Sequence, residues 1–187
     1  MEFFSQIKPI VIIIHAFAGA IGIGATTVTD TLFFKFLSDF KITRGEKETM
    51  DTLSKVIWVA LALLVLTGVA LFLSNPVAYG NSSKFLVKMV VVGVIFLNGL
   101  LLNFVIGPRM QKLRFDTNES KGEFRVFKRI AFISGVVSIT SWYASFLLGL
   151  LSKIPLTFVQ GIGVYLGIIF VGGCVSQLVF KVLSSEK

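Results

Sequence analysis

The sequence predicts an all-α integral membrane protein, a helical bundle of five transmembrane helices with its N-terminus outside and its C-terminus in the cytoplasm. The mean hydropathy is +0.86. Of the 187 residues, 55% are hydrophobic, more than an ordinary soluble domain carries. The apolar residues come in five blocks of about 20, the length that a helix needs to cross the hydrocarbon core of a bilayer. These blocks are too long for the strands of a transmembrane barrel, so helices are favoured.

The five blocks are separated by short polar stretches and by prolines. The predicted spans cover residues 9–34, 56–73, 85–106, 130–151 and 156–182 of one integral membrane domain, 1–187. Gly107-Pro108 ends the third helix, and Pro155 lies between the fourth and the fifth. The last two helices are so close in sequence that they should be antiparallel neighbours. No loop is long enough to fold as a soluble domain.

The positive charges predict how the bundle is oriented in the membrane. Of the 18 Lys and Arg residues, 14 fall in the first loop, the third loop and the C-terminal tail, and four fall on the other side. Lys and Arg are enriched in cytoplasmic loops, which places the N-terminus outside. The net charge of +8 is therefore interpreted as a topology signal, and no nucleic acid partner is expected. The expected location is the cell inner (cytoplasmic) membrane, as a multi-pass protein. The expected partners are the lipid bilayer and either a second protomer or a partner membrane subunit. The glycine-rich fifth helix fits close packing within the bundle or a protomer interface.

The first helix carries a stripe of small and polar residues. At 100° per residue the stripe falls within a sector of about 80°, and its members are His15, Gly19, Gly22, Thr26 and Asp30. Small residues let a neighbouring helix approach closely, so this face is predicted to point into the bundle. His15 and Asp30 should lie about 22 Å apart along the helix axis, too far for one site.

His15 is the only histidine in the chain, and an imidazole inside a membrane helix is a functional-site hypothesis by default. Imidazole suits haem iron, copper and zinc. With one histidine, the remaining options are haem with one His ligand, copper with His15 and a Met, or a site shared between protomers. Met89 is the nearest third-helix thioether. Lys88 either snorkels to the interface or points inward toward a carboxylate such as a haem propionate. The alternative is a neutral His15, hydrogen-bonded across helices to a Ser, Thr, Asn or Tyr; in a protein without a cofactor, the serine stripe of the fourth helix would supply this partner.

Two further intramembrane polar residues raise separate questions. Asp30, near the inner interface, is interpreted as a carboxylate paired with Lys35, with a basic residue of the third loop or with water; the alternative is a proton or cation relay. Asn98 lies near the membrane centre and must find a partner. Asn103 is about 140° away from Asn98 around the helix, so the two should not share a narrow face.

The fourth helix carries a polar stripe next to two aromatic residues. The serines are spaced by four, three and four residues, and Trp142 and Tyr143 follow the third of them; the stripe is Ser134, Ser138, Ser141 and Ser145. Hydroxyl groups at this spacing are interpreted as contacts that hold helices together.

No hydrolase triad, phosphate-binding loop, HExxH or CxxC motif is present in the sequence. Nothing in the composition demands an enzyme, and an oxidoreductase activity would require a bound haem. Three classes of function are open: a haem- or copper-binding protein, a cofactor-free structural or interaction subunit, and a transporter or channel for a small ion that uses Asp30 and Asn98.

Three local patterns resemble a superfamily of small bacterial membrane proteins. The first is His15 near the outer end of the first helix, followed by small residues. The second is LSKVIWVALALLVLTGVALFL, and the third is YGNSSKFLVKMVVVGVIFLNGLLLNFVIGPRM, which contains Lys88, Asn98 and Pro108. Over roughly residues 8–150 the chain is similar to the copper-resistance protein D family and, more distantly, to the J-type protoporphyrinogen oxidases, although it lacks their further histidines. The resemblance implies that His15 contributes to a copper or haem site near Lys88, in metal or haem transport, assembly or electron transfer.

Overall fold

The computed structural model describes residues 2–39, 44–109, 121–152 and 154–185, and these residues contain helices and connections but no β-strand. Five helices of the described residues are long and apolar enough to cross a membrane. In chain order the elements are α1 (Glu2–Asp39), α2 (Arg44–Ser74), α3 (Pro76–Gly80), α4 (Ser83–Leu101) with a π-helical turn (Leu102–Ile106), α5 (Lys121–Leu150) and α6 (Phe158–Ser185). The predicted all-α, five-helix membrane bundle is therefore confirmed. Its orientation in the membrane stays a prediction.

The helices extend beyond the apolar blocks, most clearly at the start of α2. This helix begins at Arg44, well before the predicted span 56–73. Its first turns have the sequence RGEKETMDTLSK, whose charges hide it from a hydropathy scan, although Lys and Glu are good helix formers. The loop that follows α2 contains the short helix α3, which was not predicted. Asn75 caps α3 by accepting a hydrogen bond from the Ala78 amide at 3.1 Å, and Pro76 takes the first helical position.

The long helix α5 occupies the middle of the bundle, where it packs against α1, α4 and α6, while α1 also lies along α2. The serine stripe of α5 accounts for this position: its four members, Ser134, Ser138, Ser141 and Ser145, are all buried. On α1, the small face points inward as predicted. A Cβ built on Gly22 would lie 2.4 Å from Trp142 of α5, so only glycine leaves room for the indole ring.

Buried apolar side chains form two clusters. We call the larger one the central cluster; it joins α2, α4, α5 and α6 and consists of Leu61, Val87, Val91, Ile95, Trp142 and Tyr165. The smaller cluster joins α1, the π-helical turn and the start of α5, and consists of Phe33, Ile106, Phe127, Ala131 and Phe132. The candidate site is a cavity lined by residues of both clusters: Phe33 of the smaller one, and Leu61, Ile95 and Trp142 of the central one.

The outer surface of the bundle is apolar. Large side chains such as Phe17 (66% exposed), Leu66 (67%) and Phe170 (72%) point away from the protein. A soluble monomer rarely exposes apolar surface on this scale, whereas lipid contact requires it. The protein is a multi-pass membrane protein whose helices contact the bilayer.

Candidate functional site

A cavity of about 350 Å³ opens between α1, α2, α4 and α5. Its polar lining consists of Thr26, Thr29, Asp30, Lys47, Asp51, Ser54, Asn98, Asn103 and Ser138, and its apolar lining includes Phe33, Met50, Ile57, Trp58, Leu61, Ile95, Leu102 and Trp142. Lys47 and Asp51 are exposed and stand at the mouth. Asp30, Asn98 and Trp142 are buried and form the deep end.

Asp30 is the buried acid of this cavity, with 4% of its surface exposed. It is hydrogen-bonded to Ser138 of α5. Its second carboxylate oxygen, Oδ2, has no hydrogen-bond partner among the described residues. The lysine that the sequence offered as an ion-pair partner, Lys35, lies 3.8 Å from Glu46. Among the described residues, Asp30 therefore presents one unpartnered oxygen in a cavity that it lines. Most of the third loop, whose basic residues were the other expected partners, lies outside the described residues.

Thr26 lies one helical turn before Asp30 and is 2% exposed. Its hydroxyl also has no hydrogen-bond partner among the described residues. The other threonines of α1 and α2 behave differently, since each donates to the carbonyl four residues earlier: Thr27, Thr29, Thr31, Thr49, Thr52 and Thr67. The hydroxyl of Thr26 is thus left available beside Asp30, on the same face of α1.

Asn98 finds its partner in Ser134 of α5. The Asn98 side-chain amide donates to the Ser134 carbonyl at 3.0 Å, and the Ser134 hydroxyl donates to Asn98 Oδ1 at 2.7 Å. Asn103 lines the same cavity and accepts a hydrogen bond from Ser54 at 3.3 Å. Asn98 thus bonds α5 while Asn103 bonds α2, so the two asparagines do not share a narrow face of α4, as the helical wheel predicts, although both line the cavity.

The remaining polar and aromatic residues of α5 make contacts between helices. The Ser141 hydroxyl lies 2.7 Å from the Tyr165 hydroxyl of α6, and the Tyr143 hydroxyl lies 3.2 Å from Thr27 Oγ1 of α1. Trp142 is 5% exposed and packs on Gly22. Of the polar stripe, Ser138 alone is both a cavity-lining residue and a partner of Asp30.

His15 belongs to a second, separate polar cluster toward the other end of α1. Its Nδ1 lies 2.8 Å from Thr67 Oγ1, and its Nε2 lies 3.3 Å from Lys88 Nζ. The Thr67 hydroxyl already donates to the Leu63 carbonyl at 2.5 Å, so it accepts from the ring N–H at Nδ1. This arrangement leaves the Nε2 lone pair directed at Lys88. The imidazole therefore connects α1 with both α2 and α4.

The structure brings His15 and Lys88 together, as the resemblance implied, and it adds Thr67, which the sequence analysis did not single out. Lys88 reaches inward to the imidazole. The hydroxyl partner of His15 is a threonine of another helix, one of the residue types expected for a hydrogen-bonded histidine, but it comes from α2 and not from the serine stripe. Met89 is 47% exposed on the outer surface of α4. Lys84, one turn before Lys88, donates to the Leu151 carbonyl.

The fit of a metal or haem at His15 depends on Lys88. A ring whose Nδ1–H is held by an oxygen acceptor, with Nε2 free of a proton, is the form in which histidine binds metals. Lys88 Nζ stands in front of that nitrogen at 3.3 Å, where a metal would have to lie. No group of three or more His, Cys, Asp or Glu residues with metal-site geometry occurs in the described part of the chain. The residues fit a single imidazole ligand, provided that Lys88 moves aside.

Comparisons of the chain with protein-family models, curated proteins and solved structures find no match. The functional argument therefore depends on the geometry of these two sites.

Proposed function

We propose that this protein is a membrane transporter for a small cation and that the cation binds in the cavity at Asp30. The observation that carries the proposal is a buried carboxylate with one unpartnered oxygen, placed on a cavity of about 350 Å³. An uncompensated buried charge costs several kcal/mol, so the ionised form of Asp30 would be stabilised by a cationic ligand in the cavity. Ionisable residues within membrane spans that face a cavity typically mark an ion or substrate pathway.

The arrangement of polar groups along α1 supports transport rather than binding alone. The deep end of the cavity is closed by Leu61, Ile95 and Trp142 of the central cluster. His15 with its polar partners lies farther along α1, about 22 Å from Asp30. In alternating access, a binding site is closed toward one side of the membrane while it is open toward the other, and the apolar residues between the Asp30 cavity and His15 would provide the closed side. In the predicted orientation the cavity opens toward the cytoplasm.

The test uses Asp30→Asn, which removes the charge but keeps the size of the side chain and its ability to bond Ser138. The matched control is Glu48→Gln, which makes the same chemical change at an exposed residue paired with Arg44 outside the cavity. Full-length protein is reconstituted in liposomes, and uptake of sodium, potassium, methylammonium and 2-phenylethylammonium is measured under an inside-negative potential. We expect uptake of at least one of these cations by the wild type and by Glu48→Gln, and its loss in Asp30→Asn. Uptake that is unchanged in Asp30→Asn, or absent for all four cations in the wild type, overturns the proposal.

A second candidate function, haem or copper binding at His15, is favoured by a different observation. The Nε2 lone pair of His15 faces Lys88 at 3.3 Å, so the two residues that the resemblance to the copper-resistance protein D family couples are in contact. In this role His15 would be the ligand and Lys88 would move to hold an anionic group of the cofactor, in metal or haem transport, assembly or electron transfer.

Protein purified from cells supplied with haem precursor and copper tests this second candidate. A Soret band or stoichiometric copper, lost in His15→Ala and retained in the control Phe17→Ala, is the expected result, because Phe17 is an exposed residue of the same helix. A colourless, copper-free preparation rules it out and leaves His15 as a neutral hydrogen-bonding residue between helices.

A further inference from the structure

We infer that the Asp30 cavity recognises the primary ammonium group of a small organic amine, through the free oxygen of Asp30 and the free hydroxyl of Thr26. This inference rests on the proposed function and specifies the class of its substrate.

The available hydrogen-bond acceptors match an ammonium group. Thr26 and Asp30 are four residues apart on α1, so their Cβ atoms are about 5–6 Å apart on one helix face. One nitrogen between them can donate to both at ordinary hydrogen-bond distances. Asn98 Oδ1 accepts only from Ser134 among the described residues, so its second lone pair can take the third N–H.

Other cationic groups fit these acceptors less well. A guanidinium binds a carboxylate best through both oxygens, and at Asp30 it would share one of these oxygens with Ser138, whereas a single ammonium N–H needs only the free Oδ2. A quaternary ammonium has no N–H and would leave the Asp30 oxygen and the Thr26 hydroxyl without partners, which is costly in a buried site.

Because much of the cavity lining is apolar, we expect the ammonium group to carry an apolar organic substituent. The volume of about 350 Å³ lies in the range of small-molecule pockets, which are mostly apolar with a few placed polar groups. Ile57, Trp58 and Trp142 line the cavity, and indole rings also attract organic cations. A bare alkali ion would use the acceptors but leave this apolar lining without contacts.

The mouth of the cavity permits entry of a cation. Lys47 and Asp51 stand there one turn apart on α2, and both are exposed. Their opposite charges cancel at short range, and the uncompensated charge of the lining is the carboxylate of Asp30 in the deep end.

Calorimetric titration of the full-length protein in detergent tests the inference. The organic ligands share the 2-phenylethyl group and differ only in their polar group. The ligands are 2-phenylethylammonium, its N,N,N-trimethyl analogue, 2-phenylethylguanidinium and the neutral 2-phenylethanol, with potassium chloride as the inorganic probe. We expect the primary ammonium to bind about tenfold or more tightly than the trimethyl and guanidinium analogues, from the loss of one charge-assisted hydrogen bond. The alcohol and potassium should bind more weakly still.

A pair of threonine variants supplies the second readout. Thr26→Val removes the free hydroxyl with little change of shape and should weaken binding of the primary ammonium about tenfold. Thr31→Val makes the same change on α1 at an exposed residue outside the cavity, and should leave binding unchanged.

The outcomes separate the inference from the proposed function. Binding that depends on Asp30 but is equal for primary, trimethyl and inorganic cations, or that Thr26→Val does not weaken, overturns the inference and leaves the cation transporter in place. Equal binding of the alcohol, or binding of none of these compounds combined with no cation uptake by proteoliposomes, overturns both.

Discussion

Gly22→Ala should push Trp142 into the cavity and destabilise the bundle. The added Cβ would lie 2.4 Å from Trp142 Cζ3 and 2.7 Å from Cη2. Carbon atoms in contact are normally about 3.5–4.0 Å apart, so the indole ring must retreat by about 1 Å. Trp142 is buried and lines the cavity, so the ring moves toward the space that the ligand would occupy. Gly24, two residues later on α1, has nothing within 4 Å of its would-be Cβ and provides a matched control.

The size of the effect follows from two opposing contributions. Replacing glycine with alanine inside a helix stabilises it by about 0.5–1 kcal/mol at either position, and this contribution cancels when the two variants are compared. Overpacking costs about 1–3 kcal/mol, at Gly22 alone. We therefore expect Gly22→Ala to unfold with a free energy about 1–3 kcal/mol below that of Gly24→Ala, measured by denaturation in mixed micelles. Its tryptophan fluorescence should also change. Two variants whose unfolding free energies agree within about 0.5 kcal/mol would show that Trp142 does not occupy the groove that Gly22 provides.

Two further predictions concern the contacts of α4. Gly161→Ala places a Cβ 2.7 Å from Cγ2 of Val87, a buried and β-branched residue, whereas Gly163 faces open space. We therefore expect the unfolding free energy of Gly161→Ala to be about 1–3 kcal/mol below that of Gly163→Ala. Equal unfolding free energies in mixed micelles would contradict the close packing of α6 on α4. Ser134→Ala removes the hydroxyl that donates to Asn98 at 2.7 Å and should lower the unfolding free energy by about 0.5–2 kcal/mol; a stability identical to that of the wild type would mean that this bond is replaced by water.

The transmembrane helices were predictable from the sequence because a bilayer restricts which backbone structures can cross it. A segment in hydrocarbon must satisfy its own backbone hydrogen bonds, so length and hydropathy indicate a spanning helix with little regard to its neighbours. Asp30, Asn98 and Ser138 could be picked out for the same reason, since each is a polar residue in an apolar helix. The contact of His15 with Lys88 followed from the resemblance and not from spacing, since the two residues lie on different helices.

The cavity itself could not be predicted, because two of its walls depend on features that hydropathy does not report. One wall is built by the first turns of α2, where Asp51 and Ser54 precede the apolar block and were assigned to a loop. The other includes Asn103, which lies on a different face of the helix from Asn98 and reaches the cavity beside Ser54 of those first turns of α2. The free hydroxyl of Thr26 is also invisible in sequence, because every threonine of a helix can donate to the carbonyl four residues earlier and only the structure shows which one does not.

The contact of Trp142 with Gly22 matters both for the packing of the helices and for the proposed transport. Along α1, Gly22 lies between His15 and Asp30, and the missing side chain there lets α5 approach closely enough for the indole ring to fill the space. The ring is at once a part of the central cluster and a wall of the cavity. In the proposed transport, an ion that leaves Asp30 toward His15 would pass the layer that this ring helps to close. A separation of α1 from α5 would expose the buried Thr26 and Asp30 to lipid, which is costly, so we expect a movement of the Trp142 side chain, and not a separation of the helices, to open the layer.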